Sequence, residues 1–282
     1  MMRAKRRLGQ NFLTGSHCSK KIVESVRPMP DDIIIEIGPG HGALTGLLLE
    51  SGAELTAIEI DADLIPLLHE KFGGYPNFHL VEADAMEMDF CRIVPAGSQA
   101  RVVANLPYYV STPILQRLIA HRHCLADITV MLQREVVDRI IASPGSKDYG
   151  YLSVLIQYHC EVKRLFDVPP GAFRPVPKVY SSVISMRVLN VPRSSVDNEK
   201  LFLELIKILF AQRRKTILNN LKAGWPQVSK SDETNIAAAL DQSGIESRRR
   251  AETLSIQEIA RLSDTISRMA GTKLIMRIEN EV

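Results

Sequence analysis

The 282-residue sequence has no long hydrophobic run, and this shortage excludes one class of protein. No stretch approaches the roughly 18 consecutive apolar residues that a membrane-spanning helix requires. The N-terminus, MMRAKRRLGQNFL, is basic, but no apolar block follows its charges, so we expect no secretory signal. The sequence therefore predicts a cytoplasmic protein with no membrane partner.

Cysteine is also scarce, and its spacing argues against a metal centre. The cysteines form no Cys-x-x-Cys pair, which favours reduced thiols over disulfides or a zinc site. They are Cys18, Cys91, Cys124 and Cys160. His121 and His123 lie close to Cys124, but no further residues complete a metal-ligand spacing. We therefore predict free thiols and no metal.

No charge of one sign dominates the chain, whose formal net charge is only +3. The basic residues are nevertheless clustered. The clusters are Arg3, Lys5, Arg6 and Arg7, then Arg213, Arg214 and Lys215, then Arg248, Arg249 and Arg250. Solvation at the surface explains any one of them. Three clusters in a near-neutral protein indicate a polyanionic partner such as nucleic acid.

The most informative stretch is the glycine-rich segment IIIEIGPGHGALT at residues 33–45. A β-branched apolar run followed by glycines predicts a buried strand and a tight turn, and helix-forming residues follow. Gly38, Gly40 and Ala43 fit the pattern G-x-G-x-x-G/A, in which small residues let the backbone approach a ligand. Amides of the following helix would point at that ligand. The alternative is a strand–helix turn with no ligand.

Two acidic residues near this turn suggest which ligand it binds. Glu59 ends the next apolar run, about 20 residues past the glycines, where a carboxylate can hold ribose hydroxyls. Glu36 directly precedes the turn, where it would repel the pyrophosphate of NAD. S-adenosylmethionine has no phosphate, and its sulfonium and ammonium groups are cationic. These residues therefore favour S-adenosylmethionine over NAD as the cofactor.

Further apolar runs alternate with helical segments, which predicts an α/β fold with a parallel sheet and helices on both faces. The predicted strands lie at 78–84, 101–104 and 128–132, with helices at 112–120 and 134–142. Glu36, Glu59, Asp84 and Asn105 fall at the carboxyl ends of predicted strands. Ligands of open α/β sheets bind along that edge.

The strand pattern ends before the C-terminal third of the chain. Residues 182–188 alternate with period two, as in an antiparallel strand with one polar face. Beyond a break near 190–197 the spacing is helical, and Ser255 and Glu258 form a capping box that predicts a helix start. We predict two domains: residues 1–190, an α/β domain with the basic N-terminal arm, and residues 191–282, a small all-α domain.

The segment Asn105-Leu106-Pro107-Tyr108 is suited to activating an adenine amino group. That nitrogen is a poor nucleophile because its lone pair is delocalised into the ring, and two acceptors aimed at its hydrogens would favour tetrahedral geometry. The Asn105 oxygen is one acceptor. The Leu106 carbonyl is the second, because Pro107 biases Leu106 toward an extended conformation. Catalysis would then depend on positioning and preorganised electrostatics. The alternative is a strand-end turn capped by Asn105.

Aromatic side chains are the remaining candidates for holding a base. Tyr108 offers a face for stacking, and Phe173 lies in a proline-rich loop at residues 168–178 that would hold it rigid. A reacting base has to leave its stack, and two aromatic walls offset that cost. A hydrophobic anchor for the loop is the equally simple interpretation of Phe173.

Together these motifs resemble the bacterial small-subunit ribosomal RNA adenine dimethyltransferase family. The resemblance rests on LGQNFL, EIGPGHGALT, NLPY and FRPVPKVYS, and it extends to PGSKDYGYLSV, VPPGAF, AQRRKTILNNL and RAETLS. It implies a Rossmann-like S-adenosylmethionine-dependent methyltransferase sheet followed by a helical RNA-binding domain. Leu8 and Tyr109 depart from the expected family pattern, but they only flank the motifs.

The resemblance also implies an activity and residue roles. Such enzymes dimethylate two adjacent adenines in a hairpin loop near the 3′ end of 16S ribosomal RNA, so the implied partner of a monomeric, cytoplasmic enzyme is this RNA or the 30S subunit precursor. Tyr108 and Phe173 would sandwich the target base, while Glu59 would hold the cofactor's ribose and Asp84 its adenine. The implied cofactor contacts are Asn11, Leu13, Gly38, Glu59, Asp84 and Asn105.

Three rival functions stay open at this point. A large-subunit ribosomal RNA adenine methyltransferase that confers antibiotic resistance would share NLPY but not AQRRKTILNNL or RAETLS. A ribosome-assembly factor with a secondary enzymatic role would use the same scaffold, although the intact motifs argue against loss of activity. An NAD-linked oxidoreductase is disfavoured by Glu36 and by the lack of a recognisable hydride-transfer site.

Overall fold

The computed structural model describes residues 10–228 and 234–270. The basic residues of the N-terminal arm, together with Leu8, lie outside the described residues. Within them the chain forms two compact units. The first contains residues 10–137 and Glu161–Val188, and the second contains Asp138–Cys160 and the described residues from Leu189 onward.

The first unit is built on a mixed sheet. The strands of this unit, in chain order, are Phe12–Leu13 (β1), Ile33–Ile37 (β2), Glu54–Glu59 (β3), Phe78–Glu82 (β4), Ala100–Asn105 (β5), Leu125–Gln133 (β6), Cys160–Val168 (β7), Phe173–Arg174 (β8) and Ser181–Val188 (β9). Seven of them form one sheet in the order β4-β3-β2-β5-β6-β9-β7, and β1 pairs with β8 in a separate antiparallel ribbon. The pairings from β4 to β6 are parallel, whereas β9 runs antiparallel to β6.

The helices of the first unit connect these strands. They are Ser16–Val26 (α1), Thr45–Leu49 (α2), Ile65–Phe72 (α3), Ser111–Ala120 (α4) and Arg134–Ile141 (α5), the last of which ends in the second unit. The strand β2, with sequence IIIEI, is apolar along nearly its whole length, as expected when both faces of a parallel strand are covered. Its Ile34 packs with Leu48 of α2 and Val103 of β5 in the core. The predicted parallel sheet is confirmed.

One strand of the sheet, β7, was not predicted. Glu161, Lys163 and Asp167 interrupt the apolar pattern by which a buried strand is recognised. All three side chains are exposed, because β7 lies at the edge of the sheet, where polar side chains reach water.

The second unit is helical. Its further helices are Tyr151–His159 (α6), Glu199–Leu209 (α7), Ile217–Val228 (α8), Thr234–Gln242 (α9) and Ile256–Ala270 (α10). The predicted capping box is confirmed, since the Glu258 N–H donates to Ser255 Oγ at 3.1 Å and the Ser255 N–H donates to the Glu258 carboxylate at 2.8 Å. None of the helices in the described ranges combines the length and hydrophobicity that crossing a bilayer demands.

The division of the chain differs from the prediction in one segment. We predicted that residues 1–190 form one domain, but Asp138–Cys160 belongs to the helical unit. Aromatic packing explains the difference, because the ring of Tyr158 lies 4.3 Å from that of Phe202 and the ring of Tyr149 lies 5.9 Å from that of Phe210. Contacts between α6 and α7, distant in sequence, thus decide where α6 belongs.

The cysteine prediction is wrong for one pair. Cys91 and Cys124 form a disulfide across 33 residues of sequence, whereas Cys18 and Cys160 are not disulfide-bonded. The two bonded residues lie in short 3-10 turns, Phe90–Ile93 and Arg122–Cys124, which the fold of the first unit brings together. Because the two cysteines are 33 residues apart in the sequence, their local spacing did not predict that they are bonded.

Candidate active site

The glycine-rich turn after β2 depends on backbone conformations that favour glycine. Gly38, Gly40 and Gly42 have φ values of 69°, 60° and 82°, all in the left-handed region. A Cβ atom on Gly42 would lie 2.4 Å from the ring of Phe72, so this position also lacks space for a side chain. The turn is tied to β3, because the Gly38 N–H donates to the Ile58 carbonyl at 2.9 Å, and α2 begins after the turn at Thr45.

Glu59, the last residue of β3, joins this turn to the next loop. Its Oε2 accepts the Gly40 N–H at 3.1 Å, and its Oε1 accepts the Asp61 N–H at 2.9 Å. Burial raises the pKa of Glu59, although both backbone hydrogen bonds oppose this by stabilising the carboxylate. The carboxyl group therefore holds two loops together while it also lines the cavity above the strand ends.

Glu36 does not lie beside the cavity, although the preference for S-adenosylmethionine over NAD partly depended on its being there. The residue is 2% exposed, accepts the Thr45 hydroxyl at 2.7 Å, and is not part of the cavity lining. Burial raises its pKa to about 8, the Thr45 hydrogen bond opposes this shift, and the nearby Glu59 adds to it. A neutral, buried acid cannot repel a pyrophosphate in the cavity, so that argument is wrong.

The Asn105 corner is held in one arrangement. The Asn105 Nδ2 donates to the Asn11 carbonyl at 3.1 Å, which leaves Oδ1 as the acceptor end of the amide. The Leu106 N–H donates to the Met131 carbonyl of β6, and the Val110 N–H donates to the Pro107 carbonyl, so the corner is a tight turn tied to the sheet. Asn105 is not the cap of the helix that follows, because the N-cap residue of α4 is Val110.

Tyr108 is fixed through its hydroxyl group. That oxygen lies 2.8 Å from Oγ of Ser181, a fully buried residue at the start of β9. Burial raises the pKa of Tyr108, and the hydrogen bond to Ser181 opposes the shift. Ser181 was not among the predicted site residues, although it ends the motif FRPVPKVYS.

The segment at residues 10–12 covers one side of the cavity. Gln10 Nε2 donates to Asp61 Oδ2 at 2.8 Å, and the ring of Phe12 lies 4.2 Å from the ring of His41. A Cβ on Gly40 would lie 3.0 Å from Phe12, so ring and turn are in close contact. Gln10 and Phe12 therefore extend the set of lining residues beyond Asn11.

One cavity in the first unit is lined by all the predicted site residues except Leu13 and Phe173. The predicted residues that line it are Asn11, Gly38, Glu59, Asp84, Asn105, Leu106, Pro107 and Tyr108. Asp84 uses Oδ1 to accept the Met86 N–H at 2.8 Å. Residues that were not predicted also line it, among them Ile60, Met86, Tyr109 and Val110. Apolar side chains at a cavity mouth carry no periodic signal, which is why the sequence did not reveal them.

Leu13 and Phe173 lie in the core instead. Leu13 is 6% exposed and Phe173 is 0% exposed, and they face each other in the β1–β8 ribbon. Both belong to the same hydrophobic cluster of the first unit. The structure therefore corrects the prediction for Phe173: its ring is the hydrophobic anchor of the loop and offers no free face opposite Tyr108.

Two arginines of the basic clusters are engaged within the helical unit. Arg213 donates to the Glu252 carboxylate at 2.9 Å and to the Lys147 carbonyl. Arg249 donates to the Glu258 carboxylate at 2.5 Å. Burial would raise the pKa of Glu258, but hydrogen bonds from Arg249 and Ser255 lower it to about 2. Both arginines therefore have partners within the unit, although Arg213 is exposed, as are Arg214, Lys215, Arg248 and Arg250.

Known proteins match this chain over nearly its whole length. Residues 1–267 match the sequence profile of the family described as ribosomal RNA adenine dimethylase. A ribosomal RNA small subunit methyltransferase A from Clostridium acetobutylicum is 45% identical over 94% of this chain and 95% of its own. One from Pseudomonas savastanoi is 41% identical over 96% of this chain and 97% of its own.

Two solved enzyme structures are similar in fold to this chain, a dimethyladenosine transferase and an rRNA methyltransferase. A dimethyladenosine transferase from Plasmodium falciparum is 25% identical, with a TM-score of 0.73 over 89% of this chain and 95% of that chain. The 23S rRNA methyltransferase ErmE is also 25% identical, with a TM-score of 0.66 over 91% of this chain and 99% of that chain.

Replacing Gly40 by Ala tests the turn. We expect a loss of about 1–2 kcal/mol in the free energy of unfolding, because the side chain would adopt a left-handed backbone conformation and press on Phe12. Urea denaturation followed by circular dichroism measures it. Gly74→Ala is the matched control, since a Cβ there meets open space at ordinary φ. Equal stability of both variants would contradict this account of the turn.

Proposed function

This chain belongs to the ribosomal RNA adenine dimethylase family, and we propose that it dimethylates two adjacent adenines in a hairpin loop near the 3′ end of 16S ribosomal RNA. The observation that carries the proposal is the Asn105 amide, held by the Asn11 carbonyl at the wall of the cavity that Glu59 and Asp84 also line. The enzyme acts as a cytoplasmic monomer on the RNA of the 30S subunit precursor.

The small subunit is favoured over the large subunit by the degree of similarity. The relatives at 41–45% identity are small-subunit enzymes by name, whereas the large-subunit enzyme ErmE is 25% identical. The segments AQRRKTILNNL and RAETLS, which we do not expect in a large-subunit resistance enzyme, are both present. They contribute the Arg213–Glu252 ion pair, so their residues are part of one packed structure.

The cavity fits S-adenosylmethionine. Among the described residues that line it, none is lysine or arginine, so no cationic side chain is present to offset the charge of a pyrophosphate, while carboxylates stand at the ends of two neighbouring strands. When bound, this cofactor supplies an electrophilic methyl group on a sulfonium. Glu59 is placed to accept hydrogen bonds from ribose hydroxyls, and Asp84 to accept one from the adenine amino group. Ile60 and Met86 supply apolar walls.

The Asn105 corner activates the target amino group. Asn105 Oδ1 and the Leu106 carbonyl would accept its two N–H groups, which would draw the nitrogen toward tetrahedral geometry and make its lone pair available for the methyl group. The nitrogen's proton is released to solvent after the transfer, so no strong base is needed. Because Asn11 and Met131 already hold this corner, the acceptors need little rearrangement when the base arrives.

Tyr108 provides the stacking face for the base. Its ring lines the cavity, and the hydroxyl contact with Ser181 fixes the ring's direction. Tyr109, which is 58% exposed at the same cavity, is the second aromatic side chain that a splayed-out base would meet. An aromatic face stabilises an unstacked base by about 1–3 kcal/mol, which offsets part of the cost of extruding it.

Transfer of tritiated methyl groups from S-adenosylmethionine tests the function. We expect incorporation into undermethylated small subunits or their precursors, with dimethyladenosine as the product after nuclease digestion. Large subunits and fully methylated small subunits are the controls. Labelling of large subunits alone, or no labelling of any RNA, would overturn the proposal.

Asn105→Ala tests the activating amide. We expect methyl transfer to fall about 100- to 1000-fold, because one preorganised hydrogen-bond acceptor is lost. RNA affinity, measured by filter binding, stays close to that of the parent. Gln99→Ala, in an exposed turn of the same unit, is the control and retains full turnover. Turnover of Asn105→Ala within a few-fold of the parent would reject this role.

RNA contact by the helical unit is proposed for a groove lined by Gln212, Lys215, Asn219 and Lys222. We expect the double variant Lys215→Ala, Lys222→Ala to bind RNA more weakly. The slope of log affinity against log salt should flatten by about 0.7–0.9 per lost phosphate contact. The matched control removes Lys200 and Lys207, exposed lysines of α7 that do not line the groove. Identical slopes for both double variants would contradict the assignment.

A further inference from the structure

A cluster of two cysteines and a histidine lies outside the residues that methyl transfer uses. Cys91 is in the 3-10 turn Phe90–Ile93, while His123 and Cys124 are in the turn Arg122–Cys124. Cys91 Sγ lies 3.2 Å from His123 Nε2, and the potential ligand atoms of all three residues lie within 4.8 Å of one another. None of the three lines the cavity of the first unit.

We propose that Cys91, His123 and Cys124 bind Zn²⁺ when the disulfide between the cysteines is reduced. Two thiolates and an imidazole are ligands that zinc prefers, and a water molecule completes the tetrahedron. With Zn–S near 2.3 Å and Zn–N near 2.0–2.1 Å, ligands that share one zinc ion lie roughly 3.5–4 Å apart. The observed grouping within 4.8 Å therefore needs only small side-chain movements to accept the ion.

The two turns are fixed to each other by contacts that do not involve the disulfide. Asp89 Oδ1 accepts the Cys91 N–H at 3.1 Å and lies 3.4 Å from His121 Nε2. Phe90 is fully buried, and its ring lies edge-on to that of His121 at 5.6 Å. These contacts remain after reduction, so the thiols stay near each other and near His123.

Helix α4, which leads into the second turn, also holds the two turns together. Arg117 donates hydrogen bonds to the carbonyls of Met88 and Glu87, just before the Cys91 turn. The backbone that carries the ligands is therefore positioned before a metal arrives, which lowers the cost of forming the site.

The redox and metal states exclude each other. The disulfide accepts two electrons and two protons from a thiol reductant, which is itself oxidised to a disulfide, and two cysteine thiols result. Zinc then displaces the two thiol protons to solvent as the S–Zn bonds form. A disulfide has no thiolate to offer, so only the reduced protein binds the ion.

The site would join two segments that lead away from the cavity. The chain runs from Asp84 to Cys91 on one side, and from the Asn105 corner through α4 to Cys124 on the other. Either the disulfide or the zinc ion links these segments.

Cobalt titration of the full-length protein tests the proposal. The protein is reduced with a phosphine, which becomes phosphine oxide, and is titrated with Co²⁺ under anaerobic conditions. We expect thiolate-to-cobalt charge-transfer absorption that saturates at one equivalent and disappears when Zn²⁺ displaces the cobalt. Unreduced protein should give no such band.

Variants separate this site from other thiols. Cys91→Ser and Cys124→Ser should abolish the band, and His123→Ala should weaken Co²⁺ affinity by about tenfold or more. His123 is exposed, so its replacement tests the site even where a cysteine variant unfolds. Cys18→Ser, a free cysteine of the same unit, is the control with an unchanged titration. No band in the reduced parent, or unchanged affinity in His123→Ala, would overturn the proposal.

Discussion

The carboxyl group of Glu59 is the contact on which the site depends. Its two oxygens accept N–H groups from Gly40 and Asp61, so one side chain sets the distance between the glycine-rich turn and the loop after β3. The carboxylate is buried at the end of a central strand, and burial strengthens its hydrogen bonds because water does not compete. Asp61 continues the chain of contacts to Gln10, so the segment that covers the cavity is tied to the same carboxylate.

Hydrogen bonds to distant segments also hold the part of the cavity wall that Asn105 and Tyr108 form. The Asn105 amide and the Tyr108 hydroxyl each have a partner from a remote segment, Asn11 and Ser181. Groups that are already oriented lose little freedom when a ligand binds, and they stabilise developing charge without rearrangement. A methyltransferase can use such fixed positions to orient its reactants.

Much of the fold followed from local sequence patterns. The β-branched run at Ile33–Ile37 predicted a buried parallel strand, and the pair Ser255 and Glu258 predicted the start of α10. The acidic and amide residues at the strand ends were predictable, because parallel strands place their carboxyl ends along one edge and Glu59, Asp84 and Asn105 had to be neighbours there. The charged edge strand β7 escaped prediction because an exposed edge permits almost any side chain.

Spacing along the chain was enough to predict the fold class, the family and the edge of the sheet that carries the site. The directions of the side chains and the contacts between distant residues became known only from the three-dimensional structure. It buried Phe173 against Leu13 and turned Glu36 toward Thr45, and it joined Cys91 to Cys124. The physical reason is that burial and contact are properties of three-dimensional neighbours, and no periodicity encodes a neighbour that lies 33 residues away in the chain, as Cys124 does from Cys91.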